Sequence, residues 1–286
     1  MSQFFLLFIF YVLINQIRPQ QTLPVIKREY EQLSTPRNTS SMKTVYMLGD
    51  STMITSKQFP LFCNYQKAKI ILSDDEFKWC RSKDFHIIST KKYSDLGHIQ
   101  PDFVKYMSNK TKTIPDVVYF NGGLHYLHLL PFRKWLMFQK WINAETIVHN
   151  FVNETREFLP RKAKLIYMTS HSICDKKYIG DYAKAVSEIK NDPVLFAQSC
   201  VEFLERKFKI QKTKGVQYCM DATFNHRGIK LLNERIVKSL DKNVYILDAF
   251  NLTDNQCKHT KIGDGRHYDA YIVQKELRNL VNVISN

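Results

Sequence analysis

The chain has 286 residues, 44% of them hydrophobic and 13% aromatic, with nine glycines and nine prolines. That suffices to bury a core, and it excludes a fibrous or disordered chain. The formal net charge of +15 attracts polyanions or acidic surfaces. Its Lys and Arg are scattered through SMK, KKY, NKTK, RKAK and KTK, no nucleic-acid-binding motif accompanies them, and nucleic acid is not expected as a partner.

Residues 1–20 hold an apolar block from Phe4 to Ile14, shorter than the roughly 20 residues a membrane-spanning helix needs. They read as a secretory signal peptide or, given no Lys or Arg in the first residues and no small-x-small cleavage site, as a short uncleaved anchor. Residues 21–42 read as a flexible linker: Arg18 to Met42 is polar, carries three prolines and shows no apolar period. The folded domain is expected over 43–286. Length allows one large domain or two small ones, and one is favoured.

Four Asn-x-Ser/Thr sequons, at Asn38, Asn109, Asn153 and Asn251, are glycan acceptors in a secreted chain. The six cysteines have no CxxC spacing, so they read as three disulfides of an oxidising lumen or as six buried thiols. These signals point to the secretory route, secreted or lumenal, with membrane contact only through an uncleaved anchor.

From Lys43 onward short apolar runs alternate with amphipathic segments. The runs are Thr44 to Leu48, Ala68 to Leu72 or Phe85 to Ser89, Asp116 to Phe120, Ala163 to Thr169, and Val244 to Leu247. They are apolar on both faces, as strands buried in a parallel sheet are. Helical spacing connects Trp135, Leu136, Ile147, Val148, Phe151, Val152, Phe158 and Leu159, in one helix or two. It recurs at Ile229, Leu232, Ile236 and Leu240, and at Tyr271, Ile272, Leu277, Leu280 and Val281. The alternation predicts right-handed βαβ units in a three-layer α/β/α sandwich. Sites in such folds lie at the carboxyl ends of the strands, here after Leu48, Phe120, Thr169 and Leu247.

The first of those loops is GDST, Gly49 to Thr52. A serine entering a helix there gains free backbone N–H groups and a positive dipole end, although Gly-Asp-Ser is also ordinary turn chemistry. The loop FNGGLHYLH, Phe120 to His128, offers the backbone of Gly122 and Gly123 and the side chains of Asn121 and His125 as donors. His128 reads as core. Two histidines without a nearby carboxylate or cysteine do not make a metal site, and none is expected. Near the C-terminus, KIGDGRHYDAY sets Asp264 three residues before His267, so the carboxylate can orient the imidazole as a base.

Together these blocks resemble the SGNH (GDSL-type) hydrolase superfamily over about Lys43 to Asn286, and within it the PC-esterase branch of sugar O-acetyltransferases and esterases. The resemblance implies a flavodoxin-like, mainly parallel five-stranded sheet, with Ser51 as nucleophile, His267 as base and Asp264 as orienter. It implies oxyanion donors from the N–H of Ser51, from a glycine matched by Gly97 in DLGHI, and from an asparagine in a G-x-N-D loop. The chain departs from that last motif: if Gly123 aligns with its glycine, His125 falls where asparagine is usual, and Asn121 lies two residues before the glycine. The implied activity is hydrolysis or transfer of acyl esters on glycans or other secretory-route molecules, with no cofactor, and with an acyl donor as further partner if transfer is the outcome. A basic surface suits acidic glycans. The rival expectation is an inactive module of the same fold that binds glycan or protein.

Overall fold

The computed structural model describes residues 42–50, 53, 58–67, 69–73, 77–90, 100–127, 140–178, 193–223, 225–260, 263 and 265–286. The expected leader 1–20, linker residues 21–41 and the sequon at Asn38 lie outside them. All described residues belong to the unit from Asn38 to Asn286.

Among the described residues seven strands form one sheet: β1 (Lys43–Leu48), β2 (Lys69–Ser73), β3 (Phe77–Arg81), β4 (Phe85–Thr90), β5 (Val117–Asn121), β6 (Lys164–Met168) and β7 (Val244–Leu247). Their order is β2-β3-β4-β1-β5-β6-β7. β4, β1, β5, β6 and β7 pair in parallel, and numbered among themselves they run 2-1-3-4-5, the flavodoxin-like order. The expected five parallel strands are therefore the body of the sheet, and β2 and β3 extend it by antiparallel pairing. The two runs weighed as alternatives for one strand are both strands, β2 and β4. The strand the sequence did not announce is β3, FKWCR, where Lys78 and Arg81 interrupt the apolar run; such alternation suits an antiparallel strand near a sheet edge.

Side chains alternate between two cores, as the two-residue repeat of a strand requires. Tyr46, Leu48, Val118, Phe120, Leu165 and Tyr167 point to one. Val45, Met47, Val117, Tyr119, Ile166 and Met168 point to the other. The helices are α1 (Gln58–Tyr65), α2 (Phe103–Thr111), α3 (Ala144–Phe158), α4 (Pro193–Phe208), α5 (Lys212–Asp221), α6 (His226–Ser239), α7 (Ala249–Thr253) and α8 (Ala270–Ser285). α2 to α6 contribute to the first core, α1 and α8 to the second. The three layers are those expected. Phe120 stacks at tilted angles on Phe151 (5.1 Å) and Tyr167 (5.4 Å), each contact adding about 0.5–1.5 kcal/mol beyond burial.

The polarity of α8 is fixed by lysines. Nζ of Lys43, at the start of β1, donates to the carbonyl of Ile284 (2.6 Å), and Nζ of Lys164, at the start of β6, to that of Val283 (2.8 Å). Cations here satisfy the open carbonyls of a helix C-terminus. The other end of α8 therefore points to the carboxyl ends of the strands, where the sites of such folds lie.

All six cysteines pair, as Cys63–Cys80, Cys174–Cys257 and Cys200–Cys219, which fits a secreted or lumenal protein. Among the described residues no helix is long and apolar enough to cross a membrane. Asn109, Asn153 and Asn251 are exposed.

Candidate active site

The chain order of the parallel strands reverses between β1 and β5, and their carboxyl ends meet there. The backbone N–H of Asp50 donates to Oδ1 of Asn121 at 2.9 Å. Both residues are fully buried. Gly49 makes the approach possible: a Cβ at that position would stand 2.0 Å from Oδ1 of Asn121. The Asn121 oxygen is thus fixed against the loop that continues into Ser51. Its Nδ2 is buried and has no hydrogen-bond partner among the described residues.

Beyond Asn121 the carbonyl of Gly122 accepts a bond from the hydroxyl of Tyr167 (3.0 Å). The carbonyl of Gly123 accepts the N–H of Tyr126 (2.9 Å), closing a single helical turn over Leu124–Tyr126. His125 sits on that turn, half-buried, with Nε2 shielded and without a partner among the described residues. Two of the expected donors, Asn121 and His125, therefore each carry a buried nitrogen with no hydrogen-bond partner among the described residues.

His267 is half-buried and held through its neighbours. The carbonyl of Gly265 accepts the N–H of Cys174 (2.7 Å), and the N–H of Gly263 donates to Lys177 (2.9 Å). Gly265 adopts φ +64°, and a Cβ there would meet the carbonyl of Cys174 at 2.6 Å. The disulfide from Cys174 to Cys257 closes the same junction. After His267, the hydroxyl of Tyr268 donates to the carbonyls of Ser172 (3.1 Å) and Thr253 (3.2 Å); burial pushes its pKa up to about 12. Asp269 caps α8 by accepting from the N–H groups of Tyr271 and Ile272.

Of the expected site residues, Asn121, Gly122, Gly123, His125 and His267 are thus described. Ser51, Asp264 and Gly97 lie outside the described residues, as does His128. Among the described residues no three His, Cys, Asp or Glu side chains group as a metal site.

Two polar groupings were not foreseen. After β6, Ser172 Oγ lies 3.0 Å from Nδ1 of His226, whose Nε2 is 3.7 Å from Asp254 Oδ1. Deeper, Glu276 is fully buried on α8; its Oε1 meets Nε2 of His171 at 2.5 Å and its Oε2 accepts from Nε2 of Gln58 at 2.6 Å. Burial alone would depress the His171 pKa, but the Glu276 charge and hydrogen bond, with the charge of Asp50, raise it above the ordinary imidazole value. Burial, reinforced by the Glu276 charge, raises the Tyr119 phenol pKa. The sequence does carry a signal for Glu276: it falls between Ile272 and Leu280 on the apolar stripe of α8, where an unpaired carboxylate is too costly to bury.

No protein-family model matches the chain, and no curated protein matches it. Among solved structures it is similar to an acetylxylan esterase from Geobacillus stearothermophilus, with TM-score 0.42 and 14% identity over 86% of this chain and 95% of that one. A catalytic mutant of the same esterase gives TM-score 0.43 and 12% identity over the same shares. An alpha/beta hydrolase enzyme from the metagenome of Lake Arreo, Spain, gives TM-score 0.39 and 11% identity over 86% of this chain and 96% of that one.

Proposed function

We propose that the protein is an SGNH-type serine ester hydrolase or O-acyltransferase acting on acyl esters of glycans or other molecules of the secretory route. The observation that carries this reading is the Asp50–Asn121 bond of 2.9 Å. It fixes Asp50 of GDST at the strand-order reversal, beside an amide nitrogen placed to donate to a developing oxyanion.

In this mechanism His267, oriented by Asp264, takes the proton of Ser51 as the serine oxygen attacks the ester carbonyl. The tetrahedral oxyanion accepts hydrogen bonds from the N–H of Ser51 and from Asn121 Nδ2, with Gly97 and His125 as further donors. Collapse expels the alcohol, which receives its proton from His267, and leaves an acyl-serine. Water or a sugar hydroxyl then attacks that ester and regenerates Ser51. The basic surface favours acidic glycans as acceptors or substrates.

One observation favours a second serine. Ser172 contacts His226, which faces Asp254. Against it, Ser172 is buried and its N–H already donates to Thr253 Oγ1 at 2.8 Å, so it offers no oxyanion donor of its own.

Labelling the purified chain with a fluorophosphonate and mapping the modified peptide tests the reading, because the probe needs only an activated serine. The expected adduct is on Ser51 and is absent from Ser51→Ala. An adduct on Ser172 would move the nucleophile. Absence of any serine adduct would favour a non-catalytic glycan- or protein-binding module.

A further inference from the structure

Glu276 receives hydrogen bonds from two separate parts of the chain, and neither donor has a part in the reaction above. Gln58, fully buried, opens α1 and so ends the segment that begins after Asp50 and carries Ser51. His171 belongs to the buried stretch after β6, and its ring packs 5.3 Å from that of Tyr268. Tyr268 directly follows His267. Glu276 itself lies on the helix that Asp269 caps.

His171 faces Glu276 from α8 and feels Asp50 from the end of β1. Among the described residues Gln58 from α1 and Tyr268 also lie beside the pair, Tyr119 from β5 feels Glu276, and Tyr268 feels both Glu276 and Asp254. Glu276 Oε1 lies 2.5 Å from Nε2 of His171, and this contact, with the charges of Glu276 and Asp50, supports the cationic form. Two buried carboxylates around one imidazolium are tolerable; without the imidazolium they repel in a medium of low dielectric.

We propose that His171 and Glu276 are positioning residues of the acyl-transfer site, a buried lock that holds Gln58 on the nucleophile side and Tyr268 on the base side only while His171 is protonated. This rests on the reading of Ser51 and His267 given above. Both ends of the Ser51 segment are then tied: Asp50 through Asn121, and Gln58 through Glu276. Deprotonation of His171 loosens the second tie, and activity falls on the alkaline side. His267 acts oppositely, since a base must be neutral to take the serine proton.

The test measures the rate of fluorophosphonate labelling at Ser51 in the full chain from about pH 5 to about pH 9, the range around imidazole titration. Wild type, Glu276→Gln, His171→Gln and the double amide variant are compared, with folding of each checked by near-ultraviolet circular dichroism. Glu276→Gln is expected to slow labelling roughly tenfold to a hundredfold, the effect of a small misplacement of reacting groups. It should also move the alkaline limb to lower pH, because burial then acts on His171 without the opposing carboxylate. The double variant, whose amides can pair without charge, keeps the test open if a single variant fails to fold; in it the alkaline limb should vanish. Folded variants with the wild-type rate and limb overturn the lock and leave the Ser51 reading standing. A wild-type chain that never labels at Ser51 overturns that reading and the lock with it.

Discussion

The backbone N–H of Asp50 and the side-chain oxygen of Asn121 join the ends of two neighbouring parallel strands at 2.9 Å, and this orients the amide nitrogen of Asn121 as well as its oxygen. A donor fixed in this way needs no reorganisation when charge develops on a substrate. Asn121→Ala is expected to lower kcat for p-nitrophenyl acetate about 100- to 1,000-fold with KM little changed, the size and pattern of losing one oxyanion donor. It should also cost about 1–3 kcal/mol of stability, because the buried bond from the Asp50 N–H is lost. His125→Ala, measured beside it, should lose less than tenfold, since no bond given by the described residues fixes that ring. The reverse ranking would make His125 the donor.

Gly49 is the steric condition for that bond. With a Cβ 2.0 Å from Oδ1 of Asn121, Gly49→Ala must displace a fully buried side chain, and overpacking of this kind costs about 1–3 kcal/mol. Adding Asn121→Ala in the same chain removes the clash. The two substitutions should therefore be less than additive in urea denaturation, while the double variant keeps the low kcat of Asn121→Ala. Additive stability losses would show that Gly49 matters for another reason.

The parallel body of the sheet was legible because its strands are apolar on both faces. Val244 to Leu247 coincides with β7, and the other runs differ from their strands by a residue or so at the ends. β3 was missed because FKWCR becomes a strand through its pairing with β2 and β4, a long-range condition that no local apolar run reveals. The same holds in the site. GDST and NGG could be matched to strand ends one by one, whereas the Asp50–Asn121 bond spans 71 residues and the His171–Glu276 contact 105. The buried carboxylate on the apolar stripe of α8 implied a partner without saying which.

The Cys174–Cys257 bridge closes 83 residues and the Cys63–Cys80 bridge 17. Loop-closure entropy in the unfolded chain gives about 4.5 kcal/mol for the first and about 3 kcal/mol for the second. Replacing Cys174 and Cys257 by alanine should therefore lower the midpoint of thermal unfolding more than replacing Cys63 and Cys80. It should also reduce ester hydrolysis at temperatures where the chain stays folded, because Cys174 bonds the carbonyl of Gly265 two residues before His267. The α1–β3 pair should change stability alone. Equal activity in both variants would separate the His267 loop from its disulfide.

Asp269 gives a prediction with a pH sign. It accepts from the N–H of Tyr271 (3.0 Å) and Ile272 (3.4 Å) and pairs with Nδ1 of His259 at 2.9 Å. Burial works against its ionisation, but the bond and charge from His259 and the two N–H groups together hold its carboxyl below the ordinary carboxylate range. A carboxylate depressed in the folded state adds stability above its unfolded value, near pH 4, and loses that contribution as pH falls through the folded value. Asp269→Ala removes an N-cap, so it should cost about 1 kcal/mol at neutral pH. In urea denaturation the gap between wild type and variant should narrow below about pH 4. A gap that stays constant into acid would mean that the hydroxyl form caps α8 as well as the carboxylate does, and that the charge of Asp269 contributes nothing to holding the helix behind His267.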